Sequence, residues 1–543
     1  MNPDVTDVVV AGGGPVGLLL AAELRLAGVS VTVVERLTEG SREIKARAIN
    51  GRSAQALARR GLRARLDAES AKYGRGFAEF VRKGADRDTD ARTPSGTGTR
   101  TAGGTDARTS GGTDAGSASG TDVRSASSRD ARLSGRFVGH FAGLLLSAVP
   151  GLDVPPGAGV PQQALEHLLG AWVAELGVRV LRGHEITGFA QDEDGVTVRV
   201  TTADGEVTVR GGYLVGCDGG RSTVRKLAGF DFPGTAPTMT GYQAIVTMDH
   251  PERLDGGWNF TGTGMYVYDT LPGRILIAEF DGPPADRSAE LTAAEVQDSL
   301  RRVSGADVTI TAVETATRFT DNTRQAATYR MGRILLAGDS AHVHPPFGGQ
   351  GLNLGLQDAA NLGWKLAATV RGWAPDGLLD SYTTERHPVA ARVLANTRAQ
   401  LTIMRSDEHS RAMRELFGEL IAAPGVTERL VNMVQGLDIR YEMGPATHPL
   451  TGRHVPDLPG VEDAMRFLRP VLFDLADSAK LRAAVDGWAD RVDVCTLPGS
   501  TELTALLVRP DGYVAWAADG ETDATDLDAL RHALGKWFGD PLR

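Results

Sequence analysis

The first forty residues alternate between unbroken apolar runs and helical spacing. Val8-Val9-Val10-Ala11 is a short continuous apolar run of the kind buried on both faces of a parallel sheet. From Pro15 to Ala27 apolar positions recur at helical spacing, and Gly28 is a natural terminator. Val31-Thr32-Val33-Val34 resumes the extended pattern, so residues 5–37 predict strand, glycine turn, helix, strand. A helix-like stretch from Ser53 to Leu66 follows. Residues 163–176 predict a helix and Val178 to Leu181 a strand. Gly195 to Thr201 and Glu206 to Arg210 alternate as a hairpin does, with Asp204-Gly205 at the turn. Strand-like pieces rich in Tyr, Phe, Ile and Val occupy 240–281, and 331–372 returns to strand, glycine loop, helix. Beyond about residue 400 the pattern is mostly helical. It closes with strand-like Thr504 to Val508 and Tyr513 to Trp516, split by Arg509-Pro510-Asp511-Gly512, and a last helix.

One segment breaks this regularity. From about Gly84 to Gly135 the chain is Gly, Ser, Thr, Ala, Asp and Arg, with Gly-Thr-Asp repeats at Gly104, Gly112 and Gly120. Such a stretch cannot bury enough apolar surface to offset its ordering entropy, so it reads as a disordered insertion. A tolerated surface-loop expansion is the simplest account, because closure entropy grows slowly with loop length. Elsewhere the composition is that of a globular protein, and 543 residues exceed one hydrophobic core, which predicts two to three domains.

A net charge of -10 argues against nucleic-acid binding, which calls for a basic stripe. Cys217 and Cys495 stand far apart without a CxxC, which fits a reducing compartment rather than structural zinc or a disulfide framework. The longest apolar stretch, Ala142 to Val149, is too short for a bilayer, and no basic region precedes the first apolar run as in a signal peptide. A cytoplasmic protein without a membrane partner is expected.

Three glycine clusters carry the chemistry. Gly12-x-Gly14-x-x-Gly17 lies between strand and helix, where a pyrophosphate must approach backbone and the helix N-terminus offers free N–H groups. Glu35 ends the next strand, 18 residues past Gly17, placed for ribose hydroxyls. This pattern predicts a dinucleotide and leaves FAD and NAD both open. The second cluster, Val215-Gly216-Cys217-Asp218-Gly219-Gly220-Arg221-Ser222, would by itself pass for a surface turn. The third runs Gly338-Asp339-Ser340-Ala341-His342, then Pro345-Pro346-Phe347-Gly348-Gly349-Gln350-Gly351-Leu352-Asn353, out of a strand and into a helix. It offers a carboxylate for a ribitol or ribose hydroxyl and a second helix N-terminus for a negative group.

In this order the three clusters resemble the para-hydroxybenzoate hydroxylase superfamily, the class A FAD-dependent monooxygenases. They resemble more closely the aromatic polyketide hydroxylases of bacterial antibiotic pathways. Arg47-Ala48 with Asn50-x-Arg52, and Pro161-Gln162 ahead of Glu166, match the same pattern over roughly residues 5–400. The tail Val508 to Trp516 is similar to the thioredoxin-like C-terminal domain of that subgroup, though without a CxxC for redox work. The resemblance implies an α/β fold: a Rossmann-like FAD-binding domain, a β-sheet substrate domain and a C-terminal thioredoxin-like domain. It divides the chain into FAD-binding parts at 1–83, 136–235 and 326–400, the insertion at 84–135, a substrate domain at 236–325 and the C-terminal domain at 401–543.

For the site, the resemblance implies non-covalent FAD. Gly12, Gly14, Pro15, Val16 and Gly17 would face the pyrophosphate, with Glu35 and Arg36 at the adenosine ribose. Arg47 and Gln162 would meet the phosphate or ribityl region. Asp339 would hold the ribityl–pyrophosphate junction with Asp218 in support. Pro346 and the backbone of Gly349, Gly351, Leu352 and Asn353 would border the pyrimidine edge of the flavin, where a helix N-terminus stabilises negative charge. The implied reaction is hydride transfer from NADPH, dioxygen addition to give a flavin C4a-hydroperoxide, and hydroxylation of a polycyclic phenolic substrate. It needs no catalytic side chain beyond the flavin, and no metal. A Baeyer–Villiger-type or antibiotic-inactivating oxidation is the alternative outcome, and a homodimer stays open.

His342 and His344 lie in the flavin loop without a carboxylate companion motif and read as structural. Trp258, Phe260, Tyr266, Tyr268 and Phe280 could line an aromatic pocket, though each singly reads as sheet core.

Overall fold

The computed structural model describes residues 4–41, 43, 45–73, 137–269, 273–286, 289–445, 448–497 and 502–542. The insertion expected at 84–135 lies outside the described residues.

The continuous apolar strands build a parallel sheet covered by helices. Asp4–Ala11 is central, paired in parallel with Val31–Glu35 on one side and Gly205–Gly216 on the other. Arg179–Arg182 and Ile334–Leu336 extend it in parallel, and the hairpin Glu185–Gln191 with Val196–Thr202 continues it antiparallel. Val8, Val9 and Val10 are fully buried, as the unbroken apolar run requires. Helix Pro15–Leu26 packs against both Gly351–Val370 and Gln162–Glu175. Because these strands are parallel, their carboxyl ends share one edge, and all three glycine clusters emerge there.

A second sheet is antiparallel, in the order Gly257–Phe260, Gly264–Asp269, Arg274–Glu279, Thr240–Asp249, Thr309–Thr320. Alternation gives it two unlike faces. Tyr242, Tyr266, Tyr268, Ile275 and Ile277 pack under helix Ala293–Ser304, whereas Trp258, Val267 and Leu276 turn the other way. On that second face lie the hairpin Phe137–Phe141 with Leu144–Ser147 and the helices Glu408–Leu420 and Pro424–Gln435. These helices fall in the stretch assigned by resemblance to the C-terminal domain, whose own sheet begins at Val471.

That last sheet runs Asp493–Thr496, Val471–Asp474, Leu503–Val508, Val514–Asp519, with one parallel pair and helices Ala479–Val485 and Ala524–Phe538. The whole is the mixed α/β fold that the resemblance implies. A buried charge cluster fastens the C-terminal sheet to the helix Gly351–Val370. Arg509 meets Glu385 at 2.6 Å, Lys365 meets Glu385 at 2.8 Å, and Asn361 donates to Asp511 at 3.1 Å. Buried charges persist only when paired in this way, and the cluster holds in place the helix whose other end enters the site.

Candidate active site

The first glycine loop is shaped by close approach. Gly12 has φ +104°, and a Cβ there would lie 2.4 Å from the Cys217 carbonyl oxygen. A Cβ on Gly17 would lie 2.1 Å from the Gly12 carbonyl oxygen. Gly14 is different: nothing approaches within 4 Å of its Cβ position, so the loop is open on that side. Pro15 begins the helix, whose first turn holds no acidic residue and no side-chain cap, so its N–H groups remain for an anion. Val16 turns away from the opening and wedges against Gly338 and Gly355, joining the first loop to the third.

Beyond Gly14 runs a groove of about 790 Å³ lined by Gly12, Gly14, Glu35, Arg36, Gln162 and Asp218. Glu35 accepts from the N–H groups of Gly13 at 2.6 Å and Leu37 at 2.8 Å. A carboxylate has further lone pairs, and these are left for hydroxyls in the groove. Arg36 is exposed at the rim, and the Gln162 N–H donates to the Ala46 carbonyl at 3.0 Å. The Asp218 carboxylate is engaged by the protein. It accepts from Thr223 N–H at 2.7 Å, Val224 N–H at 3.1 Å and the Ser340 hydroxyl at 2.9 Å, which ties the second loop to the third.

In the third loop Asp339 is exposed, with the Lys45 ammonium as a charged neighbour and the His344 ring nearby. Beneath it the buried His342 Nε2 lies 2.6 Å from Asp358, a carboxylate companion that no local motif announces. Asp358 also accepts from the Gly338 N–H at 3.1 Å and from Arg386 Nε at 2.7 Å. Burial pushes the Asp358 carboxyl up, but Arg386 and His342 outweigh it and hold it below the usual range. His342 is therefore an anchor for the loop. His344 places Nδ1 at 2.8 Å from the Pro345 carbonyl and is kept neutral by burial.

The loop ends in Gly348 and Gly349, both with positive φ, and enters a helix without acid in its first turn. Asn353 reaches back, donating to the Gly349 carbonyl at 3.1 Å and accepting from the Asn50 N–H at 2.8 Å. Gly351 lies against the His344 ring, and Leu352 packs on the main core.

A second cavity, of about 340 Å³, adjoins the groove, and Lys45 lines both. Pro346, Phe347, Gly349 and Asn353 form one wall; Trp258, Val267 and Leu276 of the antiparallel sheet form another. Val138 and His140 of the hairpin, with Val434 and Gln435, close it. Arg47 stands here, in an ion pair with Asp269, so Arg47 and Gln162 are divided between the two spaces.

Of the five aromatics, only Trp258 lines the cavity. Tyr266 and Tyr268 are core on the opposite sheet face, and Phe260 and Phe280 lie under Arg414 and Arg405. His140, whose ring centroid is 4.6 Å from that of Trp258, is pushed down by burial to about 4 and is neutral. Lys45, His140, Asp269, Arg274 and Gln435 were not singled out in the sequence. Lys45 stands two residues before the matched Arg47, whereas the others have no local signal.

The groove suits an extended dinucleotide. An uncapped helix N-terminus, an open Gly14 and a carboxylate with free lone pairs are the donor and acceptor set that pyrophosphate and ribose need, and the second uncapped N-terminus borders the adjoining cavity. Residues 5–397 match the family described as FAD binding domain, and residues 448–541 the family described as aromatic-ring hydroxylase, C-terminal. The 12-dehydrotetracycline 5-monooxygenase/anhydrotetracycline 6-monooxygenase of Streptomyces rimosus subsp. rimosus is 40% identical, over 98% of this chain and 99% of its own. A rifampicin monooxygenase of Streptomyces venezuelae is 38% identical over 98% of both. The solved structure of OxyS anhydrotetracycline hydroxylase from Streptomyces rimosus is similar, with a TM-score of 0.79 at 38% identity, covering 99% of this chain and 100% of that one.

Proposed function

The chain belongs to the FAD-binding, aromatic-ring hydroxylase family, and from that premise we propose that it hydroxylates a polycyclic phenol of polyketide type with NADPH and dioxygen, in antibiotic or related secondary metabolism. The observation that carries this reading is the continuity of a dinucleotide groove with an apolar, aromatic-walled cavity through Lys45.

FAD, when bound, supplies the redox chemistry: it takes reducing equivalents from NADPH and activates dioxygen. The chain's residues do the rest. The helix N-terminus beyond Gly14 would bind the pyrophosphate, Glu35 would accept from the adenosine ribose, and Asp339 would hold the ribityl–pyrophosphate region. Asp218 shapes that junction through its bonds to the second and third loops. The helix that starts at Gly351 directs its N-terminus at the cavity, and the N–H groups from Gly349 to Asn353 would stabilise negative charge on a flavin ring bound against them.

Trp258, Val267 and Leu276 offer a flat apolar platform over which a substrate ring would lie, with Phe347 and Val434 to exclude water from it. A neutral His140 beside Trp258 gives this apolar wall one hydrogen-bonding group without adding a charge.

The test is NADPH oxidation and dioxygen uptake by the purified flavoprotein with a panel of polycyclic phenols. Stimulated turnover with one oxygen atom from labelled dioxygen in the product is expected. A protein without flavin, or one that no ring phenol stimulates, overturns the reading. A ring-expanded or ring-opened product would move it to the Baeyer–Villiger alternative.

A further inference from the structure

The sheet face that floors the cavity changes character along its length. Trp258 pairs across strands with Val267, and Val267 with Leu276, giving an apolar platform. Two residues along the same strands the pair is Asp269 with Arg274, and both line the cavity. Directly opposed residues place their Cβ atoms about 4.5–5.5 Å apart, so this end of the floor is charged. Arg47 reaches it from the facing loop and makes an ion pair with Asp269.

Arg274 is thereby left over. Among the described residues no hydrogen bond or ion pair is made by its side chain, and its Nε is buried without a partner. Burial, with Arg47 nearby, pushes its pKa down to about 9 against the pull of Asp269. Among the described residues that line this end of the cavity, two guanidinium groups face one carboxylate. Arg274 is half-buried with its Nε out of water and unpartnered, which is costly, and an anion delivered beside it removes that cost.

We infer that Arg274, beside the Arg47–Asp269 pair, forms a subsite for an ionised oxygen of the ring substrate: a carboxylate, an enolate or a phenolate. The inference rests on the proposed reading of this cavity as the ring site. The strand rise places Arg274 about 7 Å from Leu276, so the acidic oxygen projects from one end of a flat ring system lying over the platform. Arg274 is then a specificity-determining residue. A flat ring of the same size without that oxygen leaves it unpaired, and a site built around a buried polar group discriminates strongly against the analogue lacking its partner.

Binding to the oxidised holoenzyme, read from the flavin absorbance, tests this without turnover. The probes are 1-hydroxy-2-naphthoate, 2-naphthoate and neutral 1-naphthol. The wild type is expected to bind at least one naphthoate about tenfold more tightly than 1-naphthol. Arg274→Gln should remove that preference while leaving 1-naphthol within about twofold and flavin content unchanged, and Arg274→Lys should restore part of it. Equal binding of 2-naphthoate and the hydroxy acid assigns the contact to the carboxylate alone; tighter binding of the hydroxy acid adds its neutral ring hydroxyl to the carboxylate contact. Equal affinity for charged and neutral probes in the wild type overturns the subsite and leaves the ring-site reading standing. Binding of none of the three overturns both. Loss of all probes together in Arg274→Gln also overturns it, since the residue would then be holding the cavity open rather than reading charge.

Discussion

His342 Nε2 lies 2.6 Å from the Asp358 carboxylate, which also accepts Arg386 Nε at 2.7 Å, and all three side chains are closed to solvent. The same carboxylate accepts the Gly338 N–H, so the loop bearing Asp339 hangs from a helix position twenty residues on. Asp358→Asn would leave Arg386 buried with a weakened partner and release Gly338. The expected loss is about 3–5 kcal/mol of stability, together with lower FAD occupancy. Thermal melts of apo- and holoprotein with the flavin-to-protein ratio check it; an unchanged melt would show that the triad is not an anchor.

The glycines of the first loop should separate fold from ligand. Gly17→Ala drives a methyl to 2.1 Å from the Gly12 carbonyl oxygen, and the domain should be destabilised with or without cofactor. Gly14→Ala meets nothing within 4 Å, so the apoprotein should melt within about 1 kcal/mol of wild type. Its FAD affinity should nevertheless fall about tenfold or more, because the methyl occupies the open side of the groove. Equal FAD retention by Gly14→Ala and wild type would remove the pyrophosphate from that position.

What was legible in the sequence is what local chain chemistry dictates. The apolar runs at Val8–Ala11 and Val31–Val34, and glycines forced by close approach, show through any one window of residues. The pairs that make the site do not: His342 with Asp358, Arg47 with Asp269 and His140 with Trp258 join separate elements whose meeting is a tertiary event. Boundaries moved for similar reasons. The helix expected from Ser53 to Leu66 is broken at Gly61, whose φ of +79° ends one helix before another starts at 63. The strand expected at Glu206 to Arg210 runs on to Gly216 because Asp4–Ala11 pairs with its second half.

Asp339 is exposed, and among the described residues no hydrogen bond of its carboxylate to protein explains its place in the loop by packing. Asp339→Ala should therefore leave the apoprotein's melting unchanged and lower flavin content on purification, because hydroxyls of the cofactor lose their acceptor. The absorbance ratio of flavin to protein measures it, and a normal ratio would withdraw Asp339 from the site.

The last prediction concerns the joint between the domains. His454 lies between two guanidinium groups, with Arg59 Nη1 2.9 Å from Nε2 and Arg52 Nη1 2.9 Å from Nδ1. Burial first, then these two arginines, holds its pKa well below 6.5. The folded protein thus keeps His454 neutral while the unfolded chain takes up a proton near pH 6.5. Between those values the unfolded state binds more protons, so stability is complete above about pH 6.5 and is lost as pH falls through it, by about 1.4 kcal/mol per pH unit from this one group. His454→Gln keeps an acceptor for Arg59 and removes the titration. The difference in unfolding free energy between wild type and His454→Gln should shrink as pH drops from about 7.5 to 5, with that slope. Denaturant unfolding at constant ionic strength measures it, and two parallel pH profiles would mean that His454 is already protonated between its arginines or does not face them.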